Sequence, residues 1–131
     1  MRGLLLDTHV WFWYLVGSER LPKGLRDSLD REPGRLWLSP ISVWELGVFE
    51  KKGRLLLQGG VRAWVSDAMK RFPLRLADLN TEVALSSLDL ELPHRDPADR
   101  FLAATALVFD LTLATVDRRL VEADWLSTQS N

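Results

Sequence analysis

One stretch limits the folds open to this chain more than any other: HRDPADRFLAATALVFDLTLATVDRRL, from His94 to Leu120. It reads as a helix opening on an acidic turn, a tight return at Asp110 and Leu111, a short buried strand over 113–115, and an acid, Asp117, at the strand's exit. Pro97 suits the first helical position, where its missing N–H is no loss and its fixed φ matches the helix. Asp96 then falls on the N-cap, whose side-chain oxygen takes an orphan N–H of the first turn. Asp99 lies in that turn, where the helix dipole favours negative charge. Residues 101–109 (FLAATALVF) are almost wholly apolar, as in a helix packed on more than one side. The small residues Ala103, Ala104, Thr105 and Ala106 let it lie close against a sheet. An acid at a helix start and an acid at the exit of the following strand can face one crevice.

The rest of the chain alternates strand and helix patterns. A buried strand over 3–6 ends at Asp7, and an aromatic-rich helix over 8–15 follows, broken at Gly17-Ser18. The run from Leu4 to Val16 is no secretory signal by pattern: Asp7 and His9 interrupt it, and it is too short to span a bilayer. A polar amphipathic helix covers 22–31 and Pro33-Gly34 closes it. A strand over 36–38 leads into a helix begun by Ser39-Pro40 and stopped at Gly53. Further helices are predicted over 61–71 and from Asn80 or Thr81 to 88, with a third strand over 73–76 between them. Residues 127–131 read as a frayed polar tail. This alternation predicts an α/β fold, three-layered α/β/α, with a short and mainly parallel central sheet flanked by helices. Such sheets gather functional groups at the carboxyl ends of their strands.

At 131 residues the chain reads as one domain over 1–131, long enough to bury about two thirds of its unfolded surface. With 47% hydrophobic and 27% charged residues it has the composition of a soluble globular protein. A net charge of −1 gives no global attraction to nucleic acid, so any such binding rests on a local patch. The absence of cysteine excludes disulfides, thiolate metal sites and a cysteine nucleophile, and suits a reducing cytoplasm.

Four acids are then candidates for one site: Asp7, Glu45, Asp99 and Asp117. Glu45 sits in the middle of an apolar helix face with Ile41, Trp44, Val48 and Phe49, where a carboxylate must be paired, neutralised or bound to a cation. Two unit charges at about 4 Å repel by about 4 kcal/mol at an effective dielectric near 20, so four together need protons or cations. Oxygen ligands without cysteine or clustered histidine select a hard cation, Mg²⁺ or Mn²⁺. Metal-assisted phosphodiester hydrolysis is the natural use of such a site. Asp7 also reads as an N-cap, and Asp96 more readily as a cap than as a ligand.

The segments LLLDTHVW, SPISVWELGV, HRDPADRFLAATAL and LATVDRRL resemble, in order, the motifs of PIN-domain ribonucleases, and most nearly the VapC-type toxins of type II toxin–antitoxin pairs. The likeness runs from about residue 3 to 121. It implies Asp7, Glu45, Asp99 and Asp117 as the acidic quartet, catalytic and metal-binding, Glu45 directly or through water, with Thr115 a hydroxyl beside it. It further implies a Mg²⁺-dependent endoribonuclease acting on RNA in the cytoplasm, a homodimer held inactive by a cognate antitoxin protein.

Around the quartet, Thr8 offers a hydroxyl near the metal or a cap, and Asp96 and Arg100 are supporting candidates. Arg95, Arg100, Arg118 and Arg119 are either phosphate contacts or solvated surface charge; among them Arg100, next to Asp99, is singled out for the site. His9 is expected to pack or hydrogen-bond, His94 to lie in a loop, and Trp11, Trp13, Trp37 and Trp44 to serve the core or a dimer interface. Two other readings remain. An aspartyl-phosphate enzyme of the haloacid-dehalogenase kind would want a second Asp two residues after Asp7, where His9 stands. A PIN-like interaction module without catalysis would lack one of the four acids.

Overall fold

The computed structural model describes residues 2–93 and 96–131. They form five parallel strands, β1 (Leu4–Leu6), β2 (Leu36–Leu38), β3 (Arg75–Leu76), β4 (Thr112–Ala114) and β5 (Thr128–Gln129), in the order β3-β2-β1-β4-β5. Seven helices accompany them among the described residues: α1 (Thr8–Val16), α2 (Lys23–Arg31), α3 (Pro40–Lys51), α4 (Gly60–Arg71), α5 (Thr81–Leu88), α6 (Pro97–Val108) and α7 (Arg118–Val121). The α/β/α architecture expected from the sequence is the one adopted.

β1 explains the layering. Its three leucines are fully buried, and alternation along the strand sends Leu4 and Leu6 to one face and Leu5 to the other. Leu4 and Leu6 join Val10, Trp11 and Leu15 of α1, Leu25 and Leu29 of α2 and Ala68 of α4. Leu5 joins Ala98, Leu102, Ala103 and Ala106 of α6, with Leu113 and Leu120. The alanine run in α6 therefore does what its size allows, bringing the helix close to the sheet. α6 ends where Asp110 enters the left-handed region (φ 55°) and the Leu111 N–H reaches back to the Ala106 carbonyl at 2.8 Å.

β1 is the hinge of the topology. β2 and β3 build outward on one side of it, β4 and β5 on the other, and all pairings are parallel. The chain thus changes direction between β1 and β4, and a crevice opens at their carboxyl ends. Asp7 follows β1 and Asp117 lies just beyond β4.

The tail is not frayed. Thr128 pairs with Leu113 and Gln129 with Ala114, and Gln129 Nε2 donates to Ser28 Oγ of α2 at 2.7 Å. Two polar residues carry no strand pattern of their own; the open edge of β4 supplies the backbone partners that order them. No helix among the described residues is long and apolar enough to cross a membrane.

Candidate active site

Asp7 caps α1. Its Oδ1 accepts the Thr8 N–H at 2.7 Å, and its Oδ2 accepts the Thr115 hydroxyl at 2.6 Å. Thr115 is fully buried, and its oxygen also accepts the Asp117 N–H at 3.1 Å, so one hydroxyl links the exits of β1 and β4. Asp7 is thus the cap of its helix, as expected, and it also lines the cleft described below. Burial pushes its carboxyl above the ordinary range, against the Thr115 and Thr8 hydrogen bonds that favour the ionised form.

Glu45 comes from the buried face of α3, two turns in from the Ser39 cap. Among the described residues no Lys or Arg forms a salt bridge with it. Its pKa is pushed up to about 7, by burial first; the Thr8 hydroxyl opposes this, and Asp7, Asp96 and Asp99 reinforce it. Thr8 does not cap a helix. Its hydroxyl lies 2.9 Å from Ser42 Oγ and ties α1 to α3; its single proton serves either Ser42 or Glu45.

At the start of α6, Asp96 Oδ1 accepts the Ala98 N–H at 2.9 Å, the capping bond expected of it, while Asp99 is buried one turn in. Replacing Asp96 by Ala is expected to cost about 1 kcal/mol in a denaturant melt, and replacing it by Asn, which caps equally well, only a few tenths. Asp117 caps α7 through the Arg119 N–H at 2.9 Å.

These acids meet. Asp7, Glu45, Asp96, Asp99 and Asp117 line one cleft of about 390 Å³, together with His9, Trp13, Arg20, Phe49, Arg54, Val116 and Arg119. The donor set is all carboxylate oxygen around a buried floor, which fits a hard divalent cation in kind and in charge. As the side chains stand, no group of three or more Asp, Glu or His among the described residues is arranged to hold one. A cationic stand-in is present instead. One terminal nitrogen of the Arg119 guanidinium lies 3.0 Å from Asp117 Oδ2 and 3.7 Å from Asp99 Oδ2.

Arg100 is not part of this site. Its guanidinium donates to the Ser87 and Leu90 carbonyls, both at 2.9 Å, and so ties α6 to the end of α5. Adjacent residues on a helix do not share a face, so Asp99 pointing into the cleft turns Arg100 away from it. Arg118 pairs with Glu122 at 3.6 Å and does not line the cleft. His94 and Arg95 lie outside the described residues. His9 stands at the rim between Trp13 and Phe49, ring centroids 5.6 and 5.2 Å away, the packing role expected of it. Trp11 is buried in the core, whereas Trp44 is 55% exposed. Arg20 and Arg54 escaped the sequence reading because they sit in connections with no motif around them.

The PIN-domain family matches residues 4–126, and the chain belongs to it. Ribonuclease VapC22 of Mycobacterium tuberculosis is 30% identical over 121 residues, spanning 92% of this chain and 91% of that protein. Among solved structures, DNA-bound VapBC from Salmonella typhimurium superposes with a TM-score of 0.73 at 20% identity, covering 98% of each chain. FitAcB from Neisseria gonorrhoeae does so at 0.65 and 23%, covering 97% of this chain and 96% of that one. The likeness to these structures is one of fold.

Proposed function

We propose that the protein is a divalent-metal-dependent endoribonuclease, the toxin of a type II toxin–antitoxin pair, acting in the cytoplasm on RNA. The observation that carries this reading is the convergence of Asp7, Glu45, Asp99 and Asp117, drawn from four separate stretches of chain, on one cleft at the β1/β4 switch point. A relative aligned over nine-tenths of both chains and named as a ribonuclease supports the activity. Neighbours crystallised as VapBC and toxin–antitoxin complexes support an antitoxin partner. Apolar side chains left at the surface give partners room: Trp44 lines a groove of about 550 Å³ between α3 and α4 with Val43, Val48, Val61 and Val65. A homodimer is part of the same proposal.

In this reading Asp7, Asp99 and Asp117 would hold Mg²⁺, or Mn²⁺ in its place, with Glu45 joining directly or through water. An ion held there would supply a water of lowered pKa and a positive charge beside the phosphoryl oxygens. Thr115 and the Thr8 N–H favour the ionised form of Asp7, against its burial, and fix its direction. Glu45, on the cleft wall beside Asp7 and Asp99, presents an oxygen placed to take a proton from the attacking water. Arg20 and Arg54 on the cleft wall offer cations to flanking phosphates.

Cleavage of RNA by antitoxin-free wild type and Asp7→Asn, each with Mg²⁺ and with EDTA, tests the reading. Wild type with Mg²⁺ should cut, and the other three reactions should not. Cutting that survives both the substitution and the chelator would belong to a contaminating nuclease and remove the basis for the activity.

A further inference from the structure

Arg119 is bound to Asp117 three times over. Its backbone N–H and Nε donate to Oδ1 at 2.9 and 3.3 Å, and a terminal nitrogen donates to Oδ2 at 3.0 Å. That terminal nitrogen is also 3.7 Å from Asp99 Oδ2, so one guanidinium spans two acids of the quartet that come from different elements. Both Asp117 oxygens are engaged by it, and a divalent ion taking Asp117 as a ligand needs at least one of them. A guanidinium stays charged at any working pH, so it cannot yield the site by losing a proton. It can yield by moving. Its side chain is 52% exposed and sits on a helix of four residues at the rim, so a turn outward into water is open to it.

We propose that Arg119 is an intramolecular counter-ion of the metal site, holding Asp99 and Asp117 while no divalent ion is bound and displaced from them when one enters. This rests on the metal-dependent reading above and adds to it a built-in competitor. The arrangement accounts for two facts together: acids that share a cleft, and the failure of any three of them to close on one point. It also sets metal occupancy by a competition that neutral substitution of one exposed side chain would relieve.

Arg118 is the internal control. It carries the same charge on the same short helix, pairs with Glu122 at 3.6 Å, and does not line the cleft. The test is calorimetric titration of Mn²⁺ alone into chelator-treated, antitoxin-free full-length protein, for wild type, Arg119→Gln, Arg119→Lys and Arg118→Gln. Arg119→Gln should bind Mn²⁺ about tenfold more tightly, a partly exposed cation being removed from the ion's immediate surroundings. Arg119→Lys, which keeps the charge but loses the fork, should fall between. Arg118→Gln should stay within about twofold of wild type, as expected for a more distant, screened charge. Thermal melts give a second readout of opposite sign: Arg119→Gln should melt below wild type in chelator and gain more from Mn²⁺. If wild type binds Mn²⁺ and Arg119→Gln binds it no more tightly, the competitor role is wrong. Equal tightening in Arg118→Gln would reduce the effect to the long-range field and overturn it equally. If no variant binds Mn²⁺ at all, the metal reading falls, and this inference with it.

Discussion

Asp99→Asn is expected to leave the fold intact and to lower RNA cleavage by more than about 100-fold, because losing a group that only hydrogen-bonds a metal ligand already costs about 10–100-fold in metal affinity or activity. Asp99 is buried in the first turn of α6, faces the cleft, and is not the cap of its helix. The amide matches the carboxylate in shape, so the substitution removes charge and one acceptor oxygen and little else. Asp96→Asn is the matched comparison three residues earlier. Asp96 also lines the cleft and adds to the field at Glu45, but one of its oxygens is committed to the Ala98 N–H. It should lose only a few-fold, since Asn keeps the cap and removes a charge that the proposed site does not use as a ligand. Cleavage assays at saturating Mg²⁺, with circular-dichroism melts on the same preparations, separate chemistry from folding. Equal loss in the two variants would make Asp96 a ligand and overturn the assignment.

Much of this site could be read before any coordinates because its acids stand where backbone rules place them. Asp7, Asp96 and Asp117 are helix caps, and each follows a strand or precedes a proline, so local pattern located all three. Glu45 was legible as a carboxylate on an apolar helix face, a placement whose cost demands an explanation. Arginine directions were not legible. Where Arg100 reaches depends on carbonyls at the end of α5, and where Arg119 reaches depends on a four-residue helix too short to show a period. Choosing Arg100 over Arg119 followed sequence adjacency to Asp99, the neighbour relation that a helix does not respect. β5 was hidden for a related reason: Thr128 and Gln129 are ordered by the edge of β4, not by their own side chains.

In the metal-free protein, melting temperature should fall as pH rises from about 4.5 to 7, and Glu45→Gln should remove a large part of that fall. Burial raises the Glu45 pKa from an ordinary 4.5 to about 7. Between those values the folded protein holds a proton that the unfolded chain has released. Unfolding then releases protons, so stability declines as pH rises through this window and levels off above it. Asp7 is displaced in the same direction, also by burial. The full displacement at Glu45 corresponds to about 3 kcal/mol, which solvent access to a cleft-facing carboxyl reduces to about 2 kcal/mol. For a domain of this size that is roughly 5–10 °C in melting temperature. The difference between wild type and Glu45→Gln isolates the Glu45 contribution from that of Asp7 and every other titrating group. Saturating Mg²⁺ should shrink that difference or reverse its sign, because a cation favours the ionised carboxylates and stabilises only the state that binds it. Parallel curves for the two proteins in chelator would mean that Glu45 ionises as freely in the fold as out of it, and the crowding of charge in this cleft would lose its clearest thermodynamic signature.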